Sequence, residues 1–164
     1  MGQMLIFGMG YAASYLANRL RARGWEVVGT TQDGREGSIA FADGGAVFGA
    51  LRSATHILSS VPPAEGADPV LARYGDALAL APASWVGYLS STGVYGDAGG
   101  AWVDESAAIR GRRRDRNIAD AAWAALRSDV RIFRLPGIYG PGRSILGRIA
   151  EGRAHRIDLP EQVF

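Results

Sequence analysis

The residues best placed for chemistry by type and spacing are Gly8, Met9, Gly10, Tyr11, Ala12 and Ala13, a G-x-G-x-x-A run that follows a short apolar segment. In such a run the first glycine permits a tight turn and the second lets a ligand approach the backbone. The small third residue lets a helix pack closely on a strand. Free N–H groups and the partial positive charge of a helix N-terminus then face whatever anion is bound. The chemistry implied is the holding of a dinucleotide pyrophosphate. A purely structural turn would use the same residues, so the flanking elements carry the decision.

Those elements fit. Gln3 to Phe7 is apolar, and Tyr11 to Arg23 has helical spacing, with Ala12, Tyr15, Leu16 and Leu20 able to share a face. Gly24 ends that helix, and Glu26 to Thr30 reads as the next strand, completing a strand–helix–strand unit of about thirty residues. Ser38 to Phe41 reads as a brief strand and Ala46 to Arg52 as a short helix. The stretch between Thr31 and Ile39 is too short for a full crossover helix, so either that helix is missing or the strand is. Thr55 to Val61 is a buried strand, and Asp68 caps a helix running to Leu80 with Pro69 in its first turn. Trp85 to Ser90 and Val130 to Leu135 are further strands, with a helix over about Asn117 to Arg127 between them. Strands alternating with helices predict a Rossmann-type doubly wound α/β fold, with a mainly parallel sheet and helices on both faces.

The second strand ends Gly29-Thr30-Thr31-Gln32, with no acid at its tip to take the ribose 2′-hydroxyl. Asp33 lies just beyond, and Arg35 could meet a 2′-phosphate, so the pattern leans toward NADP over NAD as cofactor.

Four segments in order, FGMGYAAS, THILSSVPP, GYLSSTGVYGDAGGAWVDES and RLPGIYGPGR, resemble the short-chain dehydrogenase/reductase superfamily, in its extended and atypical epimerase/dehydratase-like branch. The resemblance covers most of the chain. It implies that Ser59, Ser60, Val61 and Pro62 edge the cofactor with Ser90, that Leu135 and Pro136 lie beside the nicotinamide, and that Ser91 takes the place of the active-site serine. It also implies a Y-x-x-x-K pair on the following helix, where a tyrosine moves the proton and a lysine supports it. Here Arg112-x-x-x-Arg116 stands in about that place, judged from the Glu-like Asp120, and an arginine is no general acid at neutral pH. Tyr95, four residues after Ser91, is the nearest alternative proton donor, and packing under the loop is the competing reading. Asp104 and Glu105 read as a helix cap in preference to a substrate contact. Extended relatives continue past Leu159 to Phe164, so residues 1–164 read as one NAD(P)-binding domain, with about 140–164 opening a substrate lobe that is truncated or absent.

Composition narrows the function classes. The chain has 164 residues, room for one core, and 48% hydrophobic with 21% charged residues, the balance of a globular domain. It has no cysteine, and His56 and His155 stand apart, so no metal is expected. No apolar run is long enough to span a bilayer and no leader pattern opens the chain, which reads as cytoplasmic with no membrane partner. All 18 basic residues are arginine, which leaves no lysine for proton-relay or Schiff-base chemistry. The run Arg110, Arg112, Arg113, Arg114 and Arg116 is interrupted by Asp115 and carries no interleaved aromatics, so no nucleic acid is expected. The partner is read as an unidentified small-molecule substrate, with a homodimer left open. The two function classes carried forward are an oxidoreductase or epimerase acting on a small carbonyl or sugar-like substrate, and a non-catalytic NAD(P)-binding module.

Overall fold

Strands buried on both faces read as near-continuous apolar runs, and β1 (Gln3–Phe7) does so after Gln3, with Leu5, Ile6 and Phe7 all excluded from solvent. In a computed structural model, which describes residues 2–155, β1 is central to a six-stranded parallel sheet. The other strands are β2 (Glu26–Thr31), β3 (Ile39–Ala40), β4 (His56–Ser59), β5 (Trp85–Ser91) and β6 (Val130–Leu135), in the order β3-β2-β1-β4-β5-β6. The chain order reverses between β1 and β4, the switch point where open α/β sheets form their crevice. Phe7 is opposite both Thr30 and Ser59, so the C-terminal ends of β1, β2 and β4 meet level at that crevice.

Alternation along the strands sends successive side chains to opposite layers. Leu5, Phe7, Ile57, Val86 and Tyr88 face α2 (Gly44–Ser53), α3 (Pro69–Ala79) and α4 (Arg114–Leu126), with Tyr74 and Trp123 as the largest buried rings. Met4, Ile6 and Leu58 face Ala13 and Ala17 of α1 (Tyr11–Arg21). Asp68 caps α3 as expected, accepting from the Val70 and Leu71 amides, and its second oxygen accepts from Trp123 Nε1 at 2.9 Å. One buried carboxylate thus ties α3 to α4.

Several sequence expectations move. The brief strand β3 exists and its preceding helix does not; a 3-10 turn over Arg35–Gly37 replaces it. The helix read from Ala46 starts at Gly44, capped by Asp43, and the one read from Asn117 starts at Arg114. Arg112 therefore precedes α4, and only Arg116 of the expected pair is helical. Asp104 caps no helix: its carboxylate accepts from the Ser106 amide and hydroxyl inside a turn. A short helix, α5 (Ile145–Ala150), follows β6 and has no counterpart in the sequence reading. The segment Leu159 to Phe164 lies outside the described residues. Among the described residues, no helix is long and apolar enough to cross a membrane, and no cluster of His, Asp and Glu could hold a metal ion.

Candidate functional site

The turn between β1 and α1 is held from both sides. The Gly8 amide donates to Thr30 Oγ1 and the Met9 amide to the Thr30 carbonyl, each at 3.1 Å, while Ser60 Oγ donates to the Gly8 carbonyl and Ser14 Oγ to that of Met9. Met9 lays its side chain over Gly29, where a Cβ would collide with it. Gly8 has φ +83°, and a Cβ there would come within 2.9 Å of Val61, so the fold itself requires this glycine. Thr30, Ser60 and Val61 are in this way turn-building residues.

Gly10 differs. Its φ is −78°, open to any residue, it is exposed, and a Cβ on it would meet nothing within 4 Å. As the N-cap of α1 it offers no side-chain acceptor, whereas α2 and α3 are capped by aspartates. The first-turn N–H groups at Tyr11, Ala12 and Ala13 are left for an external anion. Ser59 Oγ, buried at the end of β4 beside this crevice, also has no hydrogen-bond partner among the described residues. An uncapped helix, open space over Gly10 and an unspent buried hydroxyl all fit the dinucleotide implied by the sequence.

At the tip of β2, Thr31 Oγ1 organises the loop: it bonds Asp33 Oδ1 at 3.2 Å and Ser38 Oγ at 2.7 Å, and accepts from the Gly34 amide. Asp33's own backbone amide, helped by that of Arg35 and by Thr31, holds its carboxyl below the usual carboxylate range despite slight desolvation. Arg35 lies 3.9 Å from Asp33, and both are exposed. Gln32 is exposed beside them and Pro62 lies exposed beyond β4.

The two candidate catalytic residues occupy different surroundings. Ser91 ends β5, pairs in register with Leu135, and its Oγ accepts from the Gly93 amide at 3.2 Å, starting a 3-10 turn over Thr92–Val94. Ser90, facing the opposite layer, is buried and donates to Asp120 Oδ2 at 2.6 Å, so its hydroxyl is spent inside the protein and only its backbone is left to a ligand. Asp120 is wholly buried and takes a bidentate pair from Arg134, Nη2 to Oδ1 at 2.9 Å and Nε to Oδ2 at 3.1 Å. Arg134 in turn donates through Nη1 to the Tyr95 hydroxyl at 3.1 Å and to the Glu105 carbonyl at 3.3 Å, and its guanidinium carbon lies 5.0 Å from the Tyr95 ring centre. The Asp120 hydrogen bonds push the Arg134 guanidinium above its already high ordinary value, so it stays charged. Tyr95 thus joins the Ser90 side of the strand through Arg134, a residue the sequence reading did not single out. Its signal was an arginine one residue from the end of β6, directly before the Leu135-Pro136-Gly137 break.

The fold and the turn define a Rossmann-type α/β protein with its crevice at the β1/β4 switch point. Its structural neighbours are NAD-dependent epimerase/dehydratase and short-chain dehydrogenase/reductase superfamily proteins. A functionally unknown conserved protein from Silicibacter pomeroyi is 40% identical with a TM-score of 0.88, covering 100% of this chain and 62% of its own. A candidate NAD-dependent epimerase/dehydratase from Methylobacillus flagellatus is 26% identical (TM-score 0.65; 92% of this chain, 59% of the other). A UDP-glucuronic acid 4-epimerase from Bacillus cereus, in complex with NAD, is 14% identical (TM-score 0.72; 92% and 63%) and shares the fold. The chain therefore spans less than two thirds of the length of these proteins. No family profile and no curated protein matches it.

Proposed function

We propose that the protein binds NAD(P) at the β1/β4 crevice and is of the epimerase/dehydratase-like type, acting in the cytoplasm on a small carbonyl or sugar-like substrate. The observation that carries this is Gly10, a glycine the fold does not need, at the uncapped start of α1. The α1 amides hold the pyrophosphate, and Leu135 and Pro136 at the end of β6 border the nicotinamide. Several solved neighbours, among them the B. cereus epimerase, contain NAD, which supports the cofactor class.

When bound, the nicotinamide supplies or takes up hydride. The chain's own part is to hold the substrate oxygen and move its proton: Ser91 Oγ at the end of β5 is the hydrogen-bond donor, and the Tyr95 hydroxyl gives up the proton with Arg134 Nη1 stabilising the oxygen left behind. On this reading Ser91→Ala or Tyr95→Phe lowers turnover by roughly 10²–10⁴-fold in a hydride-transfer assay over a carbonyl panel, while dinucleotide affinity stays the same. Unchanged turnover in both variants removes these two residues from the reaction. A second reading, a non-catalytic NAD(P)-binding module, is favoured by one observation: Arg112, standing where the family's tyrosine is expected, is exposed and precedes the helix. That reading gives dinucleotide binding with no turnover on any substrate of the panel.

Cofactor choice is tested by melting. Arg35 follows the tip of β2, where a 2′-phosphate would lie, and β2 ends without an acid, so NADP should raise the melting temperature more than NAD at equal concentration. A larger shift with NAD would mean that Asp33 reaches the ribose hydroxyls and that Arg35 only neutralises it.

A further inference from the structure

The loop that follows β6 does more than end a strand. β6 is separated from β1 by β4 and β5, a distance of about 14 Å at ordinary strand spacing. Residues 136–144 nevertheless reach the first residue of α1: the Tyr11 hydroxyl donates to the Pro141 carbonyl at 3.0 Å. The segment is braced internally, with Gly140 and Arg143 exchanging amide–carbonyl hydrogen bonds at 2.9 Å and Arg143 Nε donating to the Ile138 carbonyl at 3.0 Å. Gly140 has φ +157°, a conformation that favours glycine, and a Cβ there would force the Tyr11 hydroxyl to shift. The loop therefore forms a strap across the C-terminal ends of β4 and β5, anchored on the helix whose N-terminus faces the crevice.

The strap carries a cation to that helix. The Arg143 guanidinium carbon lies 5.6 Å from the Tyr11 ring centre, and its Nη1 and Nη2 make no hydrogen bond or ion pair among the described residues. Only its Nε is spent, on positioning. An arginine fixed at one nitrogen, stacked on an aromatic ring and left with its two terminal nitrogens free is oriented to take oxygen atoms of a phosphate. Resting on the NAD(P) reading above, we propose that Arg143 is a second anchor for the dinucleotide pyrophosphate, opposite the α1 amides, and that Tyr11 is its positioning residue.

The test is calorimetric titration of the purified 164-residue protein with NAD, NADP, ADP and adenosine, together with melting curves. Arg143→Ala should weaken binding of NAD, NADP and ADP by roughly tenfold, the loss of one charge-assisted contact, with adenosine affinity and the ligand-free melting temperature unchanged. Arg143→Lys should recover most of the loss, because a lysine restores the charge. Tyr11→Phe, which removes the latch to Pro141 and keeps the ring, should speed NAD dissociation measured by stopped flow. If the unmodified protein binds NAD and Arg143→Ala binds it equally well, the anchor is wrong and the NAD(P) reading stands. Equal losses for ADP and adenosine would also overturn the anchor, since the strap would then be shaping the pocket without touching phosphate. If the unmodified protein binds none of the four, the NAD(P) reading fails and this proposal with it.

Discussion

Asp120→Ala should lower stability by about 3–5 kcal/mol, the cost of leaving one member of a buried ion pair without its partner. The carboxylate is fully excluded from solvent and receives three hydrogen bonds, one from Ser90 and two from Arg134, whose own side chain is 14% exposed. Removing it strands a guanidinium that cannot lose its proton and a serine hydroxyl that has no other acceptor. For a domain of this size the loss corresponds to about 6–20 °C in melting temperature, measured by scanning calorimetry. Asp129→Ala is the comparison: its bridge to Arg127 is solvent-exposed on the aspartate side, so its removal should change melting far less. A shift for Asp120→Ala no larger than that for Asp129→Ala would show that water reaches Arg134 once the carboxylate is gone. Because Arg134 also holds Tyr95 and the Glu105 carbonyl, the same variant should loosen the loop after β5, and amide exchange at Val94 and Tyr95 should quicken with the fall in stability.

How much of this was visible in the sequence follows the physics of each segment. The β1–α1–β2 unit was legible because hydrophobic periodicity, the glycine turn and Gly24 all agree, and its ends move by no more than two residues. The link from β2 to β3 was half legible: its length left either the helix or the strand missing, and what replaces the helix rests on side-chain bonds of Thr31 with Asp33 and Ser38, which leave no periodic trace. The start of α4 was hidden because a run of exposed arginines has no buried face to reveal helical spacing, and what begins to fix that turn is Asn117 donating to the Gly111 carbonyl. Helix α5 was invisible for a related reason: none of its six residues is buried, and Ile145, Leu146 and Ile149 are all exposed. At the candidate site, the residues of the turn itself could be named, while Arg134 and Arg143 could not. Both act through partners distant in sequence, Tyr95 at 39 positions and Tyr11 at well over a hundred, and only the folded chain brings them together.

Gly10→Val should abolish dinucleotide binding with little loss of ligand-free stability. The two glycines of the turn make opposite demands, and that contrast is what gives the experiment its force. Gly8 sits at φ +83° with Val61 against it, so Gly8→Ala pays backbone strain of about 1–3 kcal/mol and destabilises the fold with or without ligand. Gly10 sits at φ −78° and ψ −173°, an extended conformation that a β-branched residue adopts readily, with free space where its side chain would go. Valine at this N-cap gives up glycine's modest capping advantage, about 1 kcal/mol or less. The same free space is where the pyrophosphate must lie if the α1 amides are to bind it, and two methyl groups in it hold the phosphates away from those N–H donors. In the unmodified protein, dinucleotide at about 100 times its dissociation constant should stabilise the fold by roughly 2.7 kcal/mol, a melting shift of several degrees. Gly10→Val should melt without ligand within about 4 °C of the unmodified protein and show no shift with NAD or NADP. A full shift in the variant would place the pyrophosphate elsewhere; a large fall in ligand-free melting would show that the fold, and not a ligand, demands this glycine.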